Sequence, residues 1–262
     1  MKKALVSAAI ATACSAPFAV MAQAAAPAAP AKPEPEYTIA GNAGVWSDYR
    51  FRGFSQTDYQ PAFQGGIDFT HKSGFYLGNW NSNVNSTLYN GASLEMDFYG
   101  GYKATFGDFV ADFGTLYYYY PGTGKYVPGF DAKNWEVYIG GAYGPVSAKY
   151  SYSFTDFFGL KAPGVDTKGS WYLELNGAYD VGNGIGLVGH AGYQKISNGK
   201  QVGLIEDSVI DWKVGVTYDI AASGWIVGGY VVGTSEKNLF LKSDLSEGAG
   251  KTSLVVSLTK TF

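Results

Sequence analysis

Apolar and polar side chains alternate with a period of two residues along most of the chain beyond Tyr37. In the segment 146–155, apolar side chains take every second position and Ser, Lys or Thr takes each position between them. This alternation is typical of a β-strand whose two faces meet different surroundings. The same pattern predicts twelve strands, at 39–52, 61–71, 75–85, 93–105, 107–120, 134–143, 145–155, 170–180, 185–196, 208–220, 224–234 and 251–262.

The connections between these strands alternate in length. Five are tight turns, near 71–74, 105–107, 144–145, 181–184 and 221–224, and six are longer, near 53–60, 86–92, 121–133, 156–169, 197–207 and 235–250. Short turns alternating with long loops are typical of bacterial outer-membrane barrels, in which the turns face the periplasm. We therefore predict an all-β fold, a transmembrane antiparallel up-and-down β-barrel of about 12 strands over residues 39–262. It would be integral to the outer membrane, with both termini periplasmic.

Aromatic side chains on the apolar face cluster at the two ends of the predicted strands. Two such rings are selected where a barrel meets the two membrane–water interfaces. We predict that this aromatic girdle includes Tyr49, Tyr102, Trp135, Tyr143, Trp171, Tyr179, Tyr218 and Phe262. The alternative is a soluble sandwich or sugar-binding barrel, whose aromatics would be scattered along an inward-facing apolar core. The last strand ends at the aromatic residue Phe262. We expect the barrel-insertion machinery to recognise the protein through this strand.

The first residues have the features of an export signal. Two lysines precede an uncharged apolar stretch, and small residues that fit a signal-peptidase site follow it. We predict a cleaved signal peptide at 1–22 and an Ala/Pro-rich periplasmic tether at 23–38. The alternatives are a transmembrane helix, which Pro17 interrupts, and a lipoprotein anchored at Cys14, whose preceding residues lack the usual Leu.

Composition narrows the functional classes. The 262 residues include 36 Gly, and 16% are aromatic while only 16% are charged, a combination that excludes disorder. A net charge of −3 argues against a nucleic-acid partner, which would need a basic surface. The chain has one cysteine, Cys14, and two histidines, His71 and His190. A disulfide scaffold is therefore excluded, and we expect no metal and no cofactor.

A block near the start of the predicted barrel resembles a known family. Residues 44–57, GVWSDYRFRGFSQT, are similar to the opening of the TorF family of proteobacterial porin-like proteins. The likeness continues along the barrel, at 64–66, 71–84, 95–102, 174–180, 189–194 and 211–213. This resemblance implies an outer-membrane pore of unassigned substrate, and it supplies no catalytic residues.

The polar faces of the strands need water and would line the lumen of such a barrel. Near the outer mouth they would contribute a basic arc of Arg50, Arg52, Lys213 and Lys251. Opposite it they would contribute an acidic arc of Asp68, Glu95, Asp97, Glu136 and Glu174. His190 and Gln194 would add hydrogen-bonding groups to the lumen. Opposed charges across a narrow pore orient dipolar solutes and tune ion preference, whereas in a filled lumen the same groups would only pair with one another.

We therefore predict a passive diffusion channel for small hydrophilic solutes, without enzymatic activity. The basic mouth would favour anionic or zwitterionic solutes. The other partners of the protein would be outer-membrane lipid and lipopolysaccharide, whose phosphates can bind loop cations. One alternative is a narrow structural or lipid-interacting barrel without an open pore. The other is an outer-membrane hydrolase with His190 as base, although the strand of His190 offers no Ser beside it.

Overall fold

The computed structural model describes residues 35–239 and 248–262. The predicted signal peptide at 1–22 and most of the predicted tether at 23–38 lie outside the described residues. The first strand begins at Tyr37, two residues before the predicted start of the barrel. Within the described ranges, no helix is long and apolar enough to cross a membrane.

Twelve antiparallel strands form one closed barrel, which confirms the predicted all-β fold class. The strands are β1 (Tyr37–Trp46), β2 (Ala62–His71), β3 (Phe75–Asn83), β4 (Leu94–Phe106), β5 (Phe109–Tyr119), β6 (Lys133–Tyr143), β7 (Val146–Ser153), β8 (Trp171–Gly182), β9 (Ile185–Lys195), β10 (Ser208–Asp219), β11 (Trp225–Thr234) and β12 (Ser253–Thr261). Each strand pairs with its neighbours in sequence, and β1 closes the barrel by pairing with both β2 and β12. Closure leaves the barrel without an unpaired strand edge.

The barrel has two unlike ends. Tyr37, Phe262 and the five short connections lie at one end, the turn end, and six longer connections lie at the other, the loop end. The turn between β8 and β9 shows why the short connections form where they do. Its two residues, Asn183 and Gly184, have φ angles of 55° and 80°. Two consecutive positive φ angles are the requirement of a type I′ turn, which Asn-Gly favours and whose twist matches an antiparallel hairpin.

The two faces of the strands are opposite in polarity. In β6, the exposed side chains on the outer surface are Trp135, Val137 and Ile139, and the buried ones between them include Asn134 and Glu136. The same arrangement holds around the barrel, where apolar side chains form an exposed belt and charged and hydroxyl groups are enclosed. A soluble barrel would instead fill its interior with the apolar face. The polarity of the two faces is therefore the opposite of what a soluble sandwich or sugar-binding barrel would show.

The first strand differs from the prediction. Alternation continues to Arg52 in the sequence, but β1 ends at Trp46, and residues 48–56 turn into the lumen as a hairpin. Within this inward hairpin, Arg50–Phe51 pairs with Phe54–Ser55, and the turn residues Arg52 and Gly53 have φ angles of 45° and 83°. The predicted strand 39–52 is wrong beyond its first half, because its last residues find their hydrogen-bond partners inside the barrel mouth.

Candidate functional site

An ion pair between Asp48 and Arg50 holds the inward hairpin together at the loop end. The Arg50 Nε lies 2.5 Å from the Asp48 Oδ2, and each side chain is 5% exposed. Arg50 Nη1 also donates to the carbonyls of Gly53 and Ala249, at 2.9 Å each, which ties the hairpin to the chain just before β12. The other Asp48 oxygen accepts hydrogen bonds from one hydroxyl within the hairpin and from one on the residue that follows it. Arg50 therefore has a structural role in the hairpin.

Arg52, in the turn of the inward hairpin, reaches across the lumen. Its Nη2 lies 2.9 Å from both carboxylate oxygens of Glu136 in β6, and its Nη1 donates to Gln194 in β9. The guanidinium carbon lies 4.3 Å from the centroid of the Tyr172 ring. Burial alone would lower the pKa of Arg52, but the Glu136 carboxylate raises that pKa above its ordinary value. Arg52 is therefore charged, and its ion pair with Glu136 holds the hairpin against the opposite wall of the barrel.

The predicted basic arc does not form as an open row of cations. Arg50 and Arg52 point inward as expected, but each is bound to a carboxylate. Lys213 is half-buried on the lumen wall, with its Nζ 5.6 Å from the centroid of the Tyr230 ring. The side chain of Lys251 is exposed at the loop end, because β12 begins two residues later than this lysine. The structure therefore does not place Lys251 with the three cations that face the lumen.

The predicted acidic arc is also divided among separate partners. All five of its members lie on the inward side of their strands, at Asp68, Glu95, Asp97, Glu136 and Glu174. Glu174 lies 2.9 Å from the ammonium of Lys149 on the neighbouring strand. Glu95 accepts a hydrogen bond from the Tyr49 hydroxyl at 2.9 Å. The inward placement agrees with the alternation, but Glu136 and Glu174 are each paired with a cation and so present no free charge to the lumen.

His190 belongs to a hydrogen-bonded cluster on the lumen wall. Its Nε2 lies 2.9 Å from Asp211 and 3.0 Å from the Tyr172 hydroxyl, and its Nδ1 lies 2.7 Å from Asn176. A hydrolase would need a nucleophile, such as a serine hydroxyl, within hydrogen-bond reach of this base. The ring nitrogens instead face an amide, a carboxylate and a phenol, so the geometry gives the hydrolase alternative no support.

A second group of inward residues, nearer the turn end, was not among the predicted site residues. The Tyr76 hydroxyl lies 2.6 Å from Asp112 and 2.5 Å from the Tyr138 hydroxyl, and the Lys103 Nζ lies 4.9 Å from the centroid of the Tyr76 ring. The alternation alone places these residues inward. Tyrosine is amphipathic, however, and is found both in interfacial girdles and as a hydrogen-bonding group in a lumen. The residue type therefore does not indicate which of the two positions a tyrosine takes.

Seven of the eight predicted girdle residues lie on the outer surface. They are Tyr102, Trp135, Tyr143, Trp171, Tyr179, Tyr218 and Phe262. Tyr49 is the exception, because it is 0% exposed inside the inward hairpin. Its assignment to the girdle is wrong, since the residue follows the end of β1 and strand alternation no longer sets its direction.

Removing the Tyr49 hydroxyl tests how firmly the inward hairpin is tied to the wall. Tyr49→Phe should lower the free energy of unfolding by about 1–2 kcal/mol, because the buried Glu95 carboxylate loses a hydrogen-bond donor. Urea unfolding in detergent measures the change. Tyr126→Phe, at an exposed loop tyrosine, is the matched control and should leave the midpoint unchanged. Equal midpoints for Tyr49→Phe and the unaltered protein would show that the bond contributes no stability.

A cavity lies in the lumen beside the inward hairpin, and its volume of about 540 Å³ includes space that is open to solvent. The charged groups that line it are three carboxylates and three cations, from Asp48, Glu174, Asp211, Arg50, Arg52 and Lys213. The formal charges of these six side chains cancel. The lumen cavity therefore carries charged groups of both signs beside apolar side chains such as Trp46, Tyr230 and Val232.

Two solved porin structures share this architecture. The KdgM porin superposes with a TM-score of 0.51 at 13% sequence identity, over 86% of this chain and 98% of that chain. A NanC porin structure superposes with a TM-score of 0.54 at 8% identity, over 86% of this chain and 99% of that chain. At such low identities the likeness shows the fold alone. No curated protein matches the chain.

Sequence comparison with family models gives a match that covers nearly all of the barrel and its approach. The match extends over residues 30–262 and carries a description that assigns no function. Since it includes well over half of the chain, the protein belongs to the bacterial protein family of unknown function described as Gcw_chp.

Proposed function

We propose that the protein is an integral outer-membrane channel through which small hydrophilic solutes diffuse passively. The observation that carries this proposal is the polarity of the barrel, with an exposed apolar belt outside and charged and hydroxyl groups inside. In a bilayer, a closed barrel satisfies its backbone hydrogen bonds within itself, and such a belt contacts the acyl chains. Charged groups enclosed by the barrel require water or ion partners, which a hydrated lumen supplies.

We infer that the turn end faces the periplasm and the loop end faces outward. The start of β1 at Tyr37, Phe262 and all five short connections lie at the turn end, and short connections on the periplasmic side are typical of bacterial outer-membrane barrels. The long loops could then place their cations against lipopolysaccharide phosphates. The last strand, which ends at Phe262, would be the segment that the insertion machinery reads. The resemblance of residues 44–57 to the TorF family of porin-like proteins supports the proposed channel function.

Zwitterionic solutes fit the lumen better than simple anions do. Each of the two hairpin arginines has a carboxylate within 2.9 Å, so the expected basic mouth is largely neutralised. The lumen cavity carries equal numbers of positive and negative side chains. A wall of separated opposite charges orients a dipolar solute without attracting a net charge of either sign. Of the two preferences that the sequence leaves open, the structure therefore favours the zwitterionic one.

Planar-bilayer recording and liposome swelling test the proposed channel. The purified protein should give discrete conductance steps without a preference for anions, because the three cations that line the lumen cavity are matched by three carboxylates. In swelling assays, glutamine should enter faster than glutamate or lysine, which are similar in size and carry a net charge. Strong anion selectivity would contradict the balance of charges around the lumen cavity.

The second candidate is a narrow structural barrel without an open pore. The contacts of Arg52 with Glu136 and Gln194 favour it, because they cross the loop end of the lumen. Complete absence of conductance and swelling, from protein shown to be folded and inserted, would establish this candidate over the channel.

A further inference from the structure

A second cavity adjoins the inward hairpin at the loop end, and its volume of about 810 Å³ includes space that is open to solvent. Its wall is almost entirely apolar, in contrast to the polar lumen cavity. The side chains that line it include Phe51, Phe54, Phe130, Phe158, Leu160 and Ile196. The hairpin contributes the first two, and the others come from two long loops and from the residue that follows β9. We call this space the loop-end vestibule.

The vestibule has the composition of a small-molecule site. Such sites are lined mainly by apolar and aromatic side chains, with a few polar groups that fix the orientation of the ligand. A hydrophilic solute that only passed into the lumen would gain nothing from phenylalanines at the entrance. The apolar wall therefore points to an occupant with a hydrophobic body.

The polar groups of the vestibule restrict the head group of that occupant. The carboxamides of Gln56 and Gln194 each donate to a backbone carbonyl and each accept a hydrogen bond, so both are satisfied. Arg52 also lines the vestibule, and its side chain is 7% exposed. Its Nε is a buried donor that finds no hydrogen-bond partner in the part of the chain that the structure describes. This N–H group therefore lacks an acceptor, although the nitrogen itself is shielded from solvent in this structure.

The charge of Arg52 is already balanced. Glu136 binds the guanidinium through both carboxylate oxygens at 2.9 Å. An anionic head group would place a second negative charge beside this carboxylate, in a site where burial makes unpaired charge costly. An uncharged acceptor, such as a carbonyl or hydroxyl oxygen, would satisfy the Nε without that penalty.

We propose that the loop-end vestibule binds an uncharged amphipathic molecule, with its hydrocarbon or aromatic body against the phenylalanines and its acceptor oxygen on the Arg52 Nε. This site lies apart from most of the lumen wall and shares Arg52 with the lumen cavity. Binding there does not require that the lumen conduct, so the proposal stands or falls separately from the proposed channel.

A local fluorine label tests this binding site without relying on conductance. The sequence beyond the predicted signal peptide contains no cysteine, so Leu160→Cys can be labelled uniquely with a trifluoromethyl group in nanodisc-embedded protein. Val127→Cys, at an exposed position of another loop, provides the matched label outside the vestibule. Titration with octan-2-one should shift the fluorine resonance at 160 saturably and leave the resonance at 127 unchanged. Acetone, which lacks the long apolar body, should bind at least about tenfold more weakly.

Two further measurements complete the test. Phe130→Asp should weaken octan-2-one binding at least about tenfold, because it puts a charge on the apolar wall, whereas Val127→Asp should not change it. A label at Leu88→Cys gives an independent signal from another part of the wall if the first label perturbs folding. Octanoate should bind more weakly than octan-2-one. The proposal is wrong if the shift is non-saturable, equal at 127 and 160, or equally strong with acetone.

Discussion

Replacing residues 48–56 with a short Gly-Ser linker should raise the single-channel conductance at least about twofold, because the current through a water-filled pore is limited by its narrowest section. We expect the inward hairpin to form that section, because Arg52 in its turn reaches across the lumen to Glu136 at the loop end. Its side chains are among the most buried in the protein, with Tyr49 at 0% and Asp48 at 4% exposure. The Gln56 amide donates to the Tyr49 carbonyl at 2.8 Å, so the two ends of the hairpin are close enough for a short linker to join them.

A matched deletion separates this effect from a general loosening of the barrel. Residues 121–129 have the same length as 48–56, but most of them are exposed in the loop between β5 and β6. Replacing them with the same linker should leave the conductance unchanged. Swelling rates for larger solutes should rise only in the hairpin variant. If both deletions raise the conductance equally, the hairpin is not the constriction. If neither does, the narrow section lies deeper in the lumen.

Leu175→Lys should destabilise the folded barrel by about 2–4 kcal/mol, because it places a charge on the outer surface at the level of the acyl chains. Leu175 lies near the middle of β8 and is 53% exposed. In water, a lysine at so exposed a position would cost almost nothing. The size of the effect therefore measures directly whether lipid or water surrounds the belt. Urea-dependent folding into phospholipid vesicles gives the change in free energy.

The control for this substitution carries the same lysine on a loop. Val127 is 57% exposed, close to the exposure of Leu175, but it lies outside the strands. Val127→Lys should change the free energy of unfolding by less than about 0.5 kcal/mol. Similar small values for both variants would mean that the belt does not contact the bilayer core, and the proposed membrane location would then be mistaken.

The strand order and most strand limits were predictable because their causes are local. The predicted strand at 134–143 is observed at Lys133–Tyr143, and the one at 224–234 is observed at Trp225–Thr234. Period-two alternation sets which side chains are buried, and residues such as Asn183 and Gly184 set where the chain reverses. The inward position of Glu136 and Glu174 follows from the same alternation.

The path of the chain after Trp46 was not predictable in this way. Alternation continues through Asp48, Arg50 and Arg52 and therefore looks like more strand. Nothing near these residues in sequence shows that Glu136, 84 positions from Arg52, will supply the carboxylate that holds the turn of the hairpin. The wrong assignment of Tyr49 to the girdle has the same cause, because Tyr49 also lies beyond the end of β1.

The sequence by itself determined a closed barrel of alternating strands, the polarity of its two faces and the alternation of short and long connections, because each depends on neighbours within a few positions. Only the tertiary structure decided that residues 48–56 enter the lumen, which charges pair across it, and where an apolar vestibule opens beside a polar cavity. Those features depend on contacts between strands far apart in the chain, and closure of the barrel is what brings the contacting side chains within reach of one another.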